Sequence, residues 1–189
     1  MRASMNAGTD DRDHEGRRGD GAEPLALEAF LPYRLATLSN RVSRAIAALY
    51  SERFGISIPE WRVMAVLGER PEISANAVAE RTAMDKVAVS RAVRRLLAKG
   101  LIERHFAPDD RRRSVLALSA AGRRVYDEIV PLARAFEARL LAALTREERA
   151  ILSLLLAKLE ALPIEELAAD LTAAPRAPGA RPRRAGDGG

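Results

Sequence analysis

The chain has 189 residues, 48% of them hydrophobic and 4% aromatic, so its core must be built mainly from Leu, Ala, Val and Ile. Its formal net charge of +5 fits a nucleic acid, a membrane surface or an acidic partner. The absence of cysteine excludes disulfides, thiolate metal sites and thiol-based redox sensing. With two histidines, no run of about 18 apolar residues and no apolar signal segment at the N-terminus, the expectation is a cytoplasmic protein without metal, cofactor or membrane span.

In chain order, residues 1–22 are rich in Asp, Arg and Gly, and are expected to be a disordered tail. From Leu31 to Phe54, Leu35, Leu38, Val42, Ile46 and Leu49 recur at helical steps, and Gly55 stops the helix. Ser57 and Glu60 have capping-box spacing, with Pro59 in a first turn. The helix they open carries Trp61, Met64, Ala65 and Leu67 and ends near Gly68. Ser74 can cap a short helix from Ala75 to about Arg81, and Thr82-Ala83-Met84 turns the chain. Asp85 caps a further helix that runs to Lys99, with Gly100 placed to end it. Leu101 to Phe106 and Ser114 to Leu118 read as strands of a hairpin whose polar tip spans Ala107 to Arg113. Ser119 caps a helix that reaches about Leu144, with a kink expected at Pro131. Thr145 and Glu148 form a second capping box, and Ile151, Leu152, Leu155, Leu156, Leu159 and Leu162 then line one apolar face. Residues 172–189 are Pro, Gly, Ala and Arg, and are expected to be a second, basic disordered tail.

The charge is concentrated. Lys86 to Arg113 holds nine Lys or Arg against three acids, a surplus larger than that of the whole chain. Advancing about 100° per residue along the helix after Asp85 places Val89, Ala92, Val93 and Leu96 on one face. Val87, Arg91, Arg94, Arg95 and Ala98 lie roughly opposite, flanked by Ala88 and Ser90, with Lys86 at the open N-terminal end. No Asp or Glu lies between Lys86 and Lys99, so this is not the salt-bridged exterior of an ordinary amphipathic helix. Small residues at its start and arginines on its outside allow close entry into a major groove. There arginine bonds guanine edges or phosphates and Ser90 bonds either. Arg111, Arg112 and Arg113 stand side by side at the hairpin tip and repel one another unless a polyanion is near. Asp110 fits a role in orienting an arginine, because phosphate would repel its carboxylate. His105 is read as an ordinary strand residue.

This order of elements resembles the MarR family of bacterial transcriptional regulators over about Leu31 to Leu162. The specific parts are Asp85 to Arg91 (DKVAVSR), Leu96 to Arg104 (LLAKGLIER), and Asp110-Arg-Arg112 followed by Leu118-Ser119 and Gly122. Ala88 stands where the family often has Thr, and Ser119 replaces the usual Thr while still able to cap. The resemblance implies a mainly α fold with a small β wing. A winged helix-turn-helix would occupy about 57–118, dimerisation helices about 25–54 and 119–162, and the domain as a whole 23–171. The terminal helices carry more apolar residues than one small lobe can cover, which independently suggests a partner.

The resemblance further implies a homodimer that binds a pseudo-palindromic operator in double-stranded DNA and is released by a small effector. The candidate DNA contacts are Lys86, Val87, Ala88, Ser90, Arg91, Arg94, Arg95, Arg111, Arg112 and Arg113. The candidate effector contacts are Tyr33, Arg34, Ser39, Asn40, Trp61 and Arg62, with Trp61 offering an aromatic surface and Arg34 or Arg62 meeting a carboxylate. An aromatic carboxylate or its thioester is the expected effector class. The ordinary reading of Trp61 is a core residue, and pattern alone favours it. An architectural, non-sequence-specific DNA binder is the alternative reading. An enzyme is not expected, because no nucleophile–base–acid motif and no Gly-rich phosphate loop is present.

Overall fold

The computed structural model describes residues 24–107 and 110–173, with the side chains of all of these except 107, 110–113 and 170–173. The elements are α1 (Leu31–Ala47), α2 (Ser51–Phe54), α3 (Ile58–Glu69), α4 (Ala75–Thr82), α5 (Lys86–Ala98), β1 (Ile102–Ala107), β2 (Asp110–Leu118), α6 (Ala120–Leu141), α7 (Arg146–Glu160) and α8 (Ile164–Ala173). This is the mainly α architecture with a small β wing that the sequence predicts. The chain divides within α6 into two compact units, one ending at Ile129 and the other beginning at Val130. The expected tails lie outside the described residues, except that Thr172 and Ala173 close α8, a helix added to the expected set. Among the described residues no helix is long and apolar enough to cross a membrane.

In the first unit the expected helix from Leu31 to Phe54 is interrupted at Ala48–Tyr50. Its ladder tightens there, with Leu49 N donating to Ile46 O (3.0 Å) and Tyr50 N to Ala47 O (3.1 Å). No helix breaker lies at this point. Tyr50 is instead buried, with its ring 5.6 Å from that of Trp61, so tertiary packing sets the break. Gly55 then takes the left-handed conformation at φ +62° and closes α2.

The capping box that opens α3 forms as its spacing predicts. Glu60 Oε2 accepts from Ser57 N at 2.7 Å and Ser57 Oγ from Glu60 N at 3.5 Å. Behind the cap, Val63, Met64 and Leu67 are fully buried. They meet Val78 and Ala79 of α4 and Val89, Ala92, Val93 and Leu96 of α5 in one core. Each fully buried Val or Leu stabilises the fold by about 1.5–3 kcal/mol, so this face fixes how α5 sits.

α4 and α5 each start on a side-chain cap. Ser74 Oγ accepts from Ala77 N (3.2 Å), and Asp85 Oδ1 accepts from Ala88 N (2.8 Å). Between them Ala83 is left-handed at φ +51°, a conformation that costs a non-glycine residue energy and that the packed helices impose.

After α5, Gly100 (φ +64°) reverses the chain into the antiparallel hairpin of β1 and β2. Their register runs from Ile102↔Leu118 to Phe106↔Ser114 and becomes irregular between Phe106 and Ala107. Ile73 adds a bridge to Leu116, with Leu116 N donating to Ile73 O at 2.9 Å. The hairpin is thereby fastened to the chain entering α4. A single-residue bridge leaves no periodic trace in sequence, and sequence reasoning missed it.

Ser119 caps α6 as expected, accepting from Gly122 N (2.9 Å), while its hydroxyl donates to Gly100 O (2.6 Å). A Cβ on Gly122 would stand 1.8 Å from the carbonyl oxygen of Leu101, so only glycine allows the start of α6 this close to the start of the wing. On the other side of α5, the Lys99 ammonium donates to Glu60 Oε1 (2.7 Å) and to Gly55 O (2.6 Å). Burial by itself raises the Glu60 pKa. The hydrogen bonds from Lys99 and Ser57, with the Lys99 charge, outweigh it and hold this carboxyl below its ordinary value.

In the second unit α6 continues to Leu141 through Pro131, the position at which the sequence predicts a kink. The Thr145–Glu148 capping box forms, with Thr145 N donating to Glu148 Oε2 at 2.7 Å. The apolar face predicted for α7 is present but uncovered: Ile151, Leu152, Leu154, Leu155 and Leu156 are all exposed, as are Leu162, Ile164 and Leu167.

The Glu60–Lys99 pair generates a stability prediction. Lys99→Met leaves a buried carboxylate without its cation. The expected loss is about 2–3 kcal/mol, less than a fully buried pair because the ammonium remains partly hydrated. Denaturant unfolding measures it. Folding lowers the Glu60 pKa, so the contribution is complete above the ordinary value of 4.5 and is lost as pH falls through the folded value. Stability of Glu60→Gln should therefore depend less on pH across that acidic window than stability of the parent chain.

Candidate nucleic-acid interface

The face of α5 turned away from the core is set by its own periodicity. The four residues predicted inward, Val89, Ala92, Val93 and Leu96, are the ones buried. Lys86, Val87, Ser90, Arg91, Arg94 and Arg95 are exposed, and Ala88 is half-buried in the first turn. The helix presents its N-terminal end, where unpaired backbone N–H groups and the helix dipole favour an anion. With Asp85 spent on the cap and no acid from Lys86 to Lys99, nothing on this helix's outer face neutralises its arginines.

Lys86, Ser90 and Arg94 share a concave groove of about 170 Å³ with Ala75, Asn76 and Arg104, its floor formed by Val89 and Val93. Arg91 and Arg95 are not on it. Sequence reasoning missed Asn76 and Arg104 as part of this surface. Asn76 stands in the first turn of α4. Arg104 lies two residues beyond buried Ile102, so alternation puts both on one side of the hairpin. The alternation was legible, but which side of the hairpin faced α5 was not. The groove is polar and cationic over an apolar floor, and it suits a phosphodiester backbone with an adjacent base edge.

The backbone of Asp110, Arg111, Arg112 and Arg113 lies on β2, and their side chains are outside the described residues. His105 faces away from Arg104 and pairs with Glu103 at 3.3 Å.

The six candidate effector residues do not gather in one cavity of the single chain. Trp61 lies between two aromatic rings, Tyr50 at 5.6 Å and Tyr126 at 5.9 Å. Tyr126 reaches this stack over Gly68, where a Cβ would stand 2.3 Å from its ring. Arg62 donates to Ser43 Oγ at 3.2 Å, joining α3 to α1. Arg34 lines a shallow groove along α1 with Leu31, Leu35, Thr37, Leu38 and Arg41, while Tyr33, Ser39 and Asn40 are exposed elsewhere on that helix. Burial pushes the Tyr50 phenol up to about 12, with Arg62 opposing and Glu60 adding to the shift, so it stays neutral beside Arg62.

Comparison with known proteins matches this arrangement. A family model described as the MarR family matches residues 54–113, which run from the end of α2 into the wing. The HTH-type transcriptional regulator BilQ of Clostridium symbiosum is 29% identical over 108 residues, covering 57% of this chain and 75% of BilQ. BpsR of Bordetella bronchiseptica, whose DNA binding is regulated by 6-hydroxynicotinic acid, shares the fold at a TM-score of 0.64 and 23% identity, over 74% of this chain and 99% of that one. A MarR family transcriptional regulator from Silicibacter pomeroyi is 31% identical, with a TM-score of 0.60 over 70% of this chain and 97% of that one. Motifs, fold and this last match agree: the chain belongs to the MarR family of transcriptional regulators.

Proposed function

We propose that this regulator binds a pseudo-palindromic DNA operator as a homodimer, and that a small aromatic carboxylate or its thioester releases it. The observation that carries the DNA reading is the acid-free outer face of α5 beside a groove lined by Lys86, Ser90, Arg94, Arg104 and Asn76. In this reading Val87, Ala88 and Ser90 let the helix approach the groove floor, and Arg91, Arg94 and Arg95 reach base edges and phosphates. Arg111, Arg112 and Arg113 on the wing hold the flanking backbone, with Asp110 orienting one of them.

Dimerisation is supported by exposed apolar faces in each unit. Leu31, Leu35 and Leu38 on α1 are exposed, and so are Leu152, Leu154, Leu155 and Leu156 of α7 and Leu167 of α8. Isolated exposed leucines are ordinary, but contiguous faces of this kind mark an interface. A second copy would also bring two reading helices to half-sites about one helical turn apart.

The effector reading rests on the half-buried Trp61 and Arg62 and on the analogy with BpsR. The partner subunit would complete the pocket that one chain leaves open around Tyr33, Arg34, Ser39 and Asn40. The effector must bind the DNA-incompetent state more tightly, and DNA must then weaken effector binding by the same factor.

Selection on random duplex DNA, followed by affinity for selected and random duplexes at one salt concentration, tests sequence specificity. A ratio near one would leave only an architectural binder. If Arg94 or Arg91 reads a base, its replacement by Ala should cost about 1–3 kcal/mol on the selected site and relax preference at one position. Arg112→Ala should weaken binding and lower the dependence of log K on log salt; an unchanged slope counts against a wing contact with phosphate. Sedimentation equilibrium should return twice the 20.6 kDa chain mass. A monomer at micromolar concentration overturns the dimer.

A further inference from the structure

One side chain on the wing is used neither by the core nor by the charge pattern. Phe106 is 69% exposed, more than any other large hydrophobic side chain among the described residues. It occupies the last regular pair of the hairpin, opposite Ser114, before the ladder becomes irregular. Alternate residues of a strand share a face, and directly paired residues share it too. Glu103 and His105 therefore take one face of the hairpin, where they pair with each other. Arg104 and Phe106 take the other, with their partners Leu116 and Ser114.

That second face adjoins the reading helix. Arg104, Ser114 and Leu116 line a concavity with Ser74, Ala75 and Asn76. Ala75, Asn76 and Arg104 also line the groove beside α5. Phe106 thus continues the groove-side face one step toward the tip, where the sequence places three arginines. A benzyl ring there matches apolar surface of an anionic duplex, such as the deoxyribose rings that line the minor groove. Large apolar side chains recur at such contacts, packed on sugars or wedged at flexible pyrimidine–purine steps.

We propose that Phe106 is an apolar DNA contact of the wing, packing into the minor groove beside the major-groove half-site read by α5. This rests on the DNA-binding reading above. The arginines attract phosphate wherever the duplex lies, whereas the ring favours sites whose flanking minor groove opens or unstacks easily. Phe106 therefore adds preference at flanking steps and, being uncharged, adds nothing to the salt dependence.

The test uses the full chain and a duplex that the parent chain selects from a random pool, with Phe106→Ala, Phe106→Leu and Arg94→Ala compared. Phe106→Ala should weaken binding about tenfold with an unchanged salt slope, and Phe106→Leu should recover most of the loss. Hydroxyl-radical protection of the flanking minor groove should disappear in Phe106→Ala while protection at the half-site remains. Affinity within twofold of the parent and unchanged flanking protection overturn the proposal. If Arg94→Ala weakens binding and Phe106→Ala does not, the wing contact alone fails. If the parent chain selects no sequence, the operator reading fails and takes this inference with it. The thermal midpoint of Phe106→Ala should match the parent because the ring is exposed. Should it fall, Phe106→Leu and the footprint of the parent chain decide.

Discussion

A buried carboxylate holds the two ends of the reading apparatus together. Glu60 caps the first turn of α3 through Ser57 N and accepts the Lys99 ammonium at the last turn of α5. Lys99 also donates to Gly55 O at the left-handed turn that precedes α3. Two segments 39 residues apart in sequence thus converge on one ion pair, and α5 cannot rotate about its axis without breaking it. Burying a charge is costly unless it is paired and hydrogen-bonded, and Glu60 has both kinds of partner. Such a pair contributes less as net stability than as a single allowed geometry, which is what a reading helix requires.

The chain leaving α5 is fixed as tightly. Ser119 bonds Gly100 O and caps α6, and Gly122 lets the first turn of α6 lie against the Leu101 carbonyl. The wing is consequently anchored at its base, through Ser119, and along its length, through the Ile73–Leu116 bridge. An anchored base fixes the register of the strand that carries Arg104, and fixed register is what positioning on a polyanion requires.

The aromatic stack of Tyr50, Trp61 and Tyr126 joins the break after α1, the middle of α3 and the start of α6. Arg62 ties the same region to Ser43 of α1. On the proposed reading, a ligand that enters near Trp61 and Arg62 meets the place where α1, α3 and the first turns of α6 come together. Displacing one ring there would be felt at α3, and through Glu60 at the end of α5. On that reading, this is a physical route by which a small molecule can bias the setting of α5.

Much of the site was legible because it depends on local rules. Capping residues Ser57, Ser74, Asp85, Ser119 and Thr145 each announced a helix start, since a side-chain acceptor beside an unpaired N–H is a short-range requirement. The burial of Val89, Ala92, Val93 and Leu96 followed from helical period alone, and with it the exposure of the arginines. The long-range contacts were not legible: the Glu60–Lys99 pair spans 39 residues, the Ile73–Leu116 bridge is a single residue pair, and the interruption at Ala48–Tyr50 has no breaker residue. Nor could the pattern decide which side of the hairpin faced α5, and so it overlooked Asn76, Arg104 and Phe106. By itself the sequence determined the helices, their caps and the inward and outward faces, because each follows from chemistry within a turn or two. Only the tertiary structure decided which outward faces adjoin, because that depends on packing between segments whose separation along the chain carries no periodic signal.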